Sequence, residues 1–175
     1  ASQDYGVYVG IQDTELHRSN LYNTLNEWKR ISYTYTASAN VSNNNWSIQI
    51  GTTNVTGEVL VKNIQLEKGT VVNRYNFIEN GHFDGTVNSK SVSNWGLYES
   101  ITMSTDKVVS SGYEGNGYSL TGFYDINKYL YQNVNVSGNE GDSFVLSGWG
   151  KHIGVPIHGL NKSINTQNSY ERSAK

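Results

Sequence analysis

The chain has 175 residues, with 18 Gly, 1 Pro, no Cys, 4 Trp and 13 Tyr, and a formal net charge of −2. That length suits one sizeable domain or two small ones. The lack of cysteine excludes a disulfide framework, a thiolate zinc site and a thiol nucleophile, and the slightly negative charge offers no basic field for phosphates, so no nucleic acid is expected as partner.

Residues 5–11 alternate small and apolar side chains and read as a strand, and the polar residues 13–26 read as a long loop. In residues 28–37, Ile31, Tyr33, Tyr35 and Ala37 share one face while Ser32, Thr34 and Thr36 share the other. That period of two marks a strand. Residues 40–45 read as a turn, 46–50 as a strand, 51–56 as a loop and 57–66 as a long strand. In the last, Val59 and Val61 fall out of parity with Leu60, Ile64 and Leu66, so a bulge is expected near Lys62 and Asn63.

Phe77-Ile78 is short and apolar, and Asn80-Gly81 is a turn dipeptide. Short strands are expected within residues 95–103 and at 118–121. In residues 129–136, Leu130, Gln132, Val134 and Val136 alternate with Tyr129, Tyr131, Asn133 and Asn135. Residues 138–141 read as a turn, 144–149 as a central strand, and 154–175 as polar sequence without a pattern. Trp28 and Trp149 lie in strongly alternating strands and are expected in the core; Trp46, after three asparagines, suits either a loop tip or a lid on the core. Roughly ten short strands at turn-punctuated spacing, with no helical pattern, indicate an all-β antiparallel sandwich or jelly roll. No run of about 18 apolar residues exists, so no membrane span is expected. Ala1-Ser2-Gln3-Asp4 is not a signal peptide, and a secreted form would be a processed or excised piece.

Two stretches carry a family resemblance. Asn76-Phe77-Ile78-Glu79-Asn80-Gly81-His82-Phe83-Asp84 resembles the opening strand of the jelly-roll carbohydrate-binding modules of families four, nine and twenty-two, a galactose-binding-like sandwich. Asn94-Trp95-Gly96-Leu97, Gly117 to Leu120, Gln132 to Val136 and the Phe144 to Lys151 strand follow in the order of those modules. The first part resembles the second half of the same fold. Glu27 to Tyr35 is similar to its Trp-x-x-Val-Ser strand, and Val61-Lys62-Asn63-Ile64-Gln65-Leu66 to its closing strand. End and beginning meet in mid-chain, as at the joints between tandem modules of bacterial Rhs or YD-repeat wall-associated proteins. Residues 1–75 thus read as the C-terminal half of one module and 76–175 as the N-terminal half of a second. Half a sandwich leaves open edges and a bare apolar face. The halves are therefore expected to combine, either within the chain as in a circular permutation or between two chains as a swapped homodimer.

The resemblance implies a non-catalytic carbohydrate-binding or adhesive module of a secreted or cell-surface bacterial protein, with a polysaccharide or cell-wall glycan as partner. The alternatives are a structural spacer or protein–protein module without a sugar site, and an accessory part of a glycoside hydrolase. Sugar binding needs aromatic faces to stack on pyranose rings and amides or carboxylates to bond hydroxyls. The candidates are Trp95, Tyr98, Tyr129, Tyr131, Gln132 and Asn133, with Tyr113, Tyr118, Tyr124 and Asn127 behind them. Tyr129, Tyr131, Asn133 and Asn135 share one strand face, the natural platform if that face is open; the competing expectation is that these tyrosines are core or rim. The resemblance also implies a structural calcium near the first strand of the second part, with Asp84 as ligand, although Lys62 stands where the family offers an Asp. The histidines, His17, His82, His152 and His158, have no ligand spacing and are expected at the surface. No nucleophile elbow or phosphate-cradling motif marks an enzyme.

Overall fold

The computed structural model describes residues 5–69, 76–98, 101, 104–112, 114–123 and 126–153, with residues 42–45 described by their backbone alone. They form two antiparallel five-stranded sheets packed as a β-sandwich, with no helix among the described residues. The strands are β1 (Gly6–Gln12), β2 (Leu16–Arg18), β3 (Lys29–Thr36), β4 (Val41–Thr53), β5 (Gly57–Lys68), β6 (Gly96–Leu97), β7 (Lys107–Val109), β8 (Gly117–Gly122), β9 (Lys128–Gly138) and β10 (Ser143–Ile153). The first sheet has the order β2-β1-β4-β9-β6 and the second β3-β10-β5-β8-β7.

Each sheet draws strands from both parts of the chain: β4 pairs with β9, β5 with β8 and β10, and β3 with β10. Between the sheets lies one apolar cluster. Val7, Val9, Ile48, Ile50, Leu130 and Val134 face Ile31, Val61, Leu66, Leu120, Phe144 and Leu146. The alternation along β9 is the one its residues predict, with Leu130, Gln132, Val134 and Val136 buried and Asn133 and Asn135 exposed.

The bulge lies where parity breaks. Ser147 pairs with Gln65 and Trp149 with Lys62, so Gly148 alone opposes Asn63 and Ile64. Asn63 takes the left-handed conformation, at φ 52°, which asparagine tolerates better than most residues. The bulge frees the Ile64 amide to donate to the Gly81 carbonyl at 3.0 Å. Next to it the Asn76 side chain mimics a strand. Its Oδ1 accepts from the Leu66 and Ile78 amides at 3.0 and 2.9 Å, and its Nδ2 donates to the Ile64 carbonyl at 3.3 Å. The Phe77 amide adds a bond to the Leu66 carbonyl at 2.9 Å. Asn76 and Phe77 are therefore tied to the end of β5. Gly81 is required here, because a Cβ would stand 2.2 Å from the Ile64 carbonyl oxygen.

Several elements differ from expectation. Residues 13–26 contain the short polar strand β2, paired to β1. Of the expected turn at residues 40–45, residues 41–45 belong to β4, because pairing with β9 overrides the weak strand preference of asparagine. β7 was not expected at all. Trp46 is the core tryptophan, 1% exposed, edge-on to Tyr35 at 5.2 Å and to Phe144 at 4.8 Å. Trp28 and Trp149 are half-buried instead. On β10 the inward positions beyond Leu146 are Gly148 and Gly150, whose added Cβ atoms would meet Ile64 at 2.6 Å and Val7 at 3.2 Å, so Trp149 points to the other face. His152 is also buried, its Nε2 3.2 Å from the Thr56 carbonyl oxygen and its amide bonded to Thr24 Oγ1 at 2.6 Å. His158 and the unpatterned residues 154–175 lie outside the described residues.

Candidate functional site

β9 has β4 along one side for most of its length, but on the other side β6 pairs only with Tyr131 and Leu130. Beyond that short pairing an open cleft of about 610 Å³ runs along β9, lined by Tyr131, Gln132, Asn133, Val134 and Asn135. Its opposite wall is Phe77 and Glu79 from the segment anchored on the β5 bulge, with Asn94, Trp95 and Gly96 leading into β6. The volume falls within the range of small-ligand sites, roughly 300–1,000 Å³.

Gln132 holds this wall in place. Its side chain points inward and is 6% exposed. Its Oε1 accepts from the Glu79 amide at 2.9 Å, and its Nε2 donates to the Glu79 and Asn94 carbonyls, both at 2.9 Å. The Asn94 side-chain amide in turn donates to a Glu79 carboxylate oxygen. Trp95 supports the same wall from behind: its indole N–H donates to the Asn80 carbonyl at 3.0 Å and its ring lies 5.1 Å from Phe83 in the core. Both residues read from sequence as ligand contacts, yet their polar groups are engaged by the protein itself.

Tyr131 lies over Gly96, where an added Cβ would come within 2.3 Å of the ring. Tyr129 is 6.4 Å away at a steep angle, and Tyr98 stacks on Tyr129 at 4.4 Å with planes 19° apart. The three half-buried rings form a continuous strip beside the cleft. Tyr8 is next along the sheet, opposite Gly51 on the neighbouring strand, with the Arg18 guanidinium 5.2 Å above its ring. Burial holds the Tyr8 hydroxyl well above the ordinary phenol range, partly offset by Arg18.

The remaining sequence candidates scatter. Tyr118 is fully buried, with its hydroxyl donating to the Lys90 carbonyl at 2.7 Å. Exposed Asn127 accepts from Thr53 Oγ1 at 2.8 Å. Tyr113 and Tyr124 lie outside the described residues. Asp84 is exposed, and its amide rather than its carboxylate is engaged, by Asn80 Oδ1 at 2.8 Å. Calcium takes about six to eight oxygens, whereas no group of three or more Asp, Glu or His side chains suited to a metal occurs among the described residues. No helix long and apolar enough to cross a membrane occurs among the described residues either.

Glu79, Asn94 and Phe77 line the cleft without having stood among the sequence candidates, whereas Asn135 belonged to the expected platform face. Asn135 was legible, because it continues the Tyr129–Tyr131–Asn133 face. Glu79 and Asn94 lie inside the two stretches that carry the family resemblance, but only the fold brings them together across 15 residues of sequence. No family model, no curated protein and no solved structure is similar enough to count as a match.

A change of Gln132 to leucine is expected to lower stability by about 1–3 kcal/mol. It would strip partners from the Glu79 amide and from two carbonyls. Urea denaturation measures the loss, and an unchanged midpoint would mean that water replaces the amide at no cost.

Proposed function

We infer that this cleft binds a glycan chain and that the protein is a non-catalytic carbohydrate-binding or adhesive module. The observation that carries this reading is the meeting of two aromatic side chains, Phe77 and Tyr131, with the polar groups of Glu79, Asn94, Asn133 and Asn135 in one open cleft. A pyranose has apolar C–H faces and a rim of hydroxyls. It is matched by ring faces with amides and a carboxylate beside them. Such a ligand asks for a preformed wall, and the Gln132 clamp provides one. Retaining or inverting glycoside hydrolysis asks for two carboxyl groups about 5–10 Å apart, and Glu79 is the one carboxylate among the lining residues. The jelly-roll wiring, and a place on the surface of a bacterial cell or in its secretions, belong to the same proposal and rest on the sequence resemblance.

Truncating Tyr131 to alanine is expected to weaken glycan binding on the order of tenfold, at the upper end of what an aromatic contact contributes. Asn133→Ala and Asn135→Ala together act in the same direction. A glycan array followed by titration calorimetry on the best hit measures the effect. Undiminished affinity in Tyr131→Ala and in the double asparagine variant would remove the cleft from consideration.

A second reading has one observation in its favour. Past Tyr131 the edge of β9 is met by no further strand among the described residues, and an extended peptide can add itself to such an edge. A peptide binder would retain affinity in Tyr131→Ala, because main-chain hydrogen bonds would carry it, and it would be indifferent to the glycan array.

A further inference from the structure

We propose that Glu79 sets the charge preference of the cleft, favouring glycans that carry a free, protonated amine, such as 2-amino-2-deoxy sugars, and disfavouring uronates. The inference rests on the glycan-binding reading. Among the residues lining the cleft there is no Lys, Arg or His. Glu79 is exposed and forms none of the ion pairs found among the described residues. Its carboxylate nevertheless does not swing freely. Asn94 bonds one oxygen, and the buried Gln132 amide holds the backbone of both residues at 2.9 Å. A neutral amide donor orients the carboxylate without cancelling its charge.

An oriented carboxylate in a cleft without cations attracts an ammonium group and repels another carboxylate. The hydroxyl-directed contacts of Asn133 and Asn135 and the ring of Tyr131 are indifferent to that charge. Preference among sugars is thus assigned to Glu79, on top of the affinity that all the groups of the cleft share. Gln132 acts here as a positioning residue, and Glu79 is the one that meets the ligand's charge.

The test is calorimetric titration of the whole chain with oligomers of equal length: glucosamine, N-acetylglucosamine and galacturonic acid. The glucosamine oligomer is expected to bind about two- to fivefold more tightly than its acetylated form, the range of an exposed ion pair. That advantage should shrink as salt is added. Glu79→Gln should abolish the difference between the two oligomers, with an unaltered melting transition showing that the wall is intact. Equal affinity for the free and acetylated amines, or an advantage that survives Glu79→Gln, overturns the proposal while leaving the glycan reading in place. If neither these oligomers nor any neutral glycan binds, both fall together.

Discussion

Replacing Lys128 by methionine is expected to destabilise the protein by about 3–5 kcal/mol, the cost of stranding one charge of a buried pair. Lys128 opens β9 with its side chain turned inward and is 1% exposed; Asp106, just before β7, is fully buried. The ammonium lies 2.7 Å from Asp106 Oδ2, and Asp106 Oδ1 accepts from the Thr121 amide on β8 at 2.7 Å. The pair thus ties the first sheet to the edge of the second. The Phe123 ring lies 5.0 Å from the ammonium. Methionine keeps the length and most of the volume of lysine, so packing changes little and the loss reports the charge. Changing Lys128 to methionine and Asp106 to leucine together is expected to recover most of the loss, because two apolar groups need no mutual compensation. The remainder is the unpaired Thr121 amide. Urea midpoints of the two single variants and the double variant measure this cycle. A drop below about 1 kcal/mol in the single variants would show that water reaches the pair.

Trp46→Ala is expected to cost a similar amount, about 3–5 kcal/mol, through lost burial and the cavity left behind. Trp46 stands between Tyr35 and Phe144 in a run of edge-on rings that joins β4 of one sheet to β3 and β10 of the other. Backbone relaxation cannot close a void between β4 and β10, each of which is paired on both sides. Trp149→Ala serves as the comparison. That side chain is half-buried on the far face of the second sheet, so its loss should be clearly smaller. Thermal and urea unfolding of both variants rank them. A larger loss at Trp149 would contradict the assignment of faces.

The order of the two tryptophans shows where sequence reading stops. Trp149 lies in a clean alternating strand, and alternation tells which residues share a face without telling which face is inside. Gly148 and Gly150 decide that question. They are inward because Ile64 and Val7 fill the space that their side chains would need, and these neighbours come from distant parts of the chain. On β9 the same alternation put Leu130, Val134 and Val136 on one face and Tyr129, Tyr131, Asn133 and Asn135 on the other, while whether those tyrosines were core, rim or open platform was settled only by the packing. The parity break in β5 was legible for a similar reason, since one extra residue shifts every later side chain to the other face.

The cleft was half legible. Tyr131 and Asn133 stood out on the face opposite Leu130 and Val134. Trp95 and Gln132 attracted notice as types that bind sugars, and the fold uses them as supports. A glutamine at an inward position of a strand must find hydrogen bonds inside, and here it finds them on the backbone of Glu79 and Asn94.

By its own periodicity, then, the chain determined an all-β sandwich, the two faces of β9 and a bulge near Lys62 and Asn63. These are local properties, set by the two-residue repeat of a strand and by what a single residue can do to it. Only the tertiary structure decided which tryptophan fills the core, that strands from both parts of the chain share each sheet, and that Glu79 and Asn94 meet in one wall of the cleft. Those are pairings between residues far apart in sequence. They depend on how distant strands and side chains fit together, which no local pattern encodes.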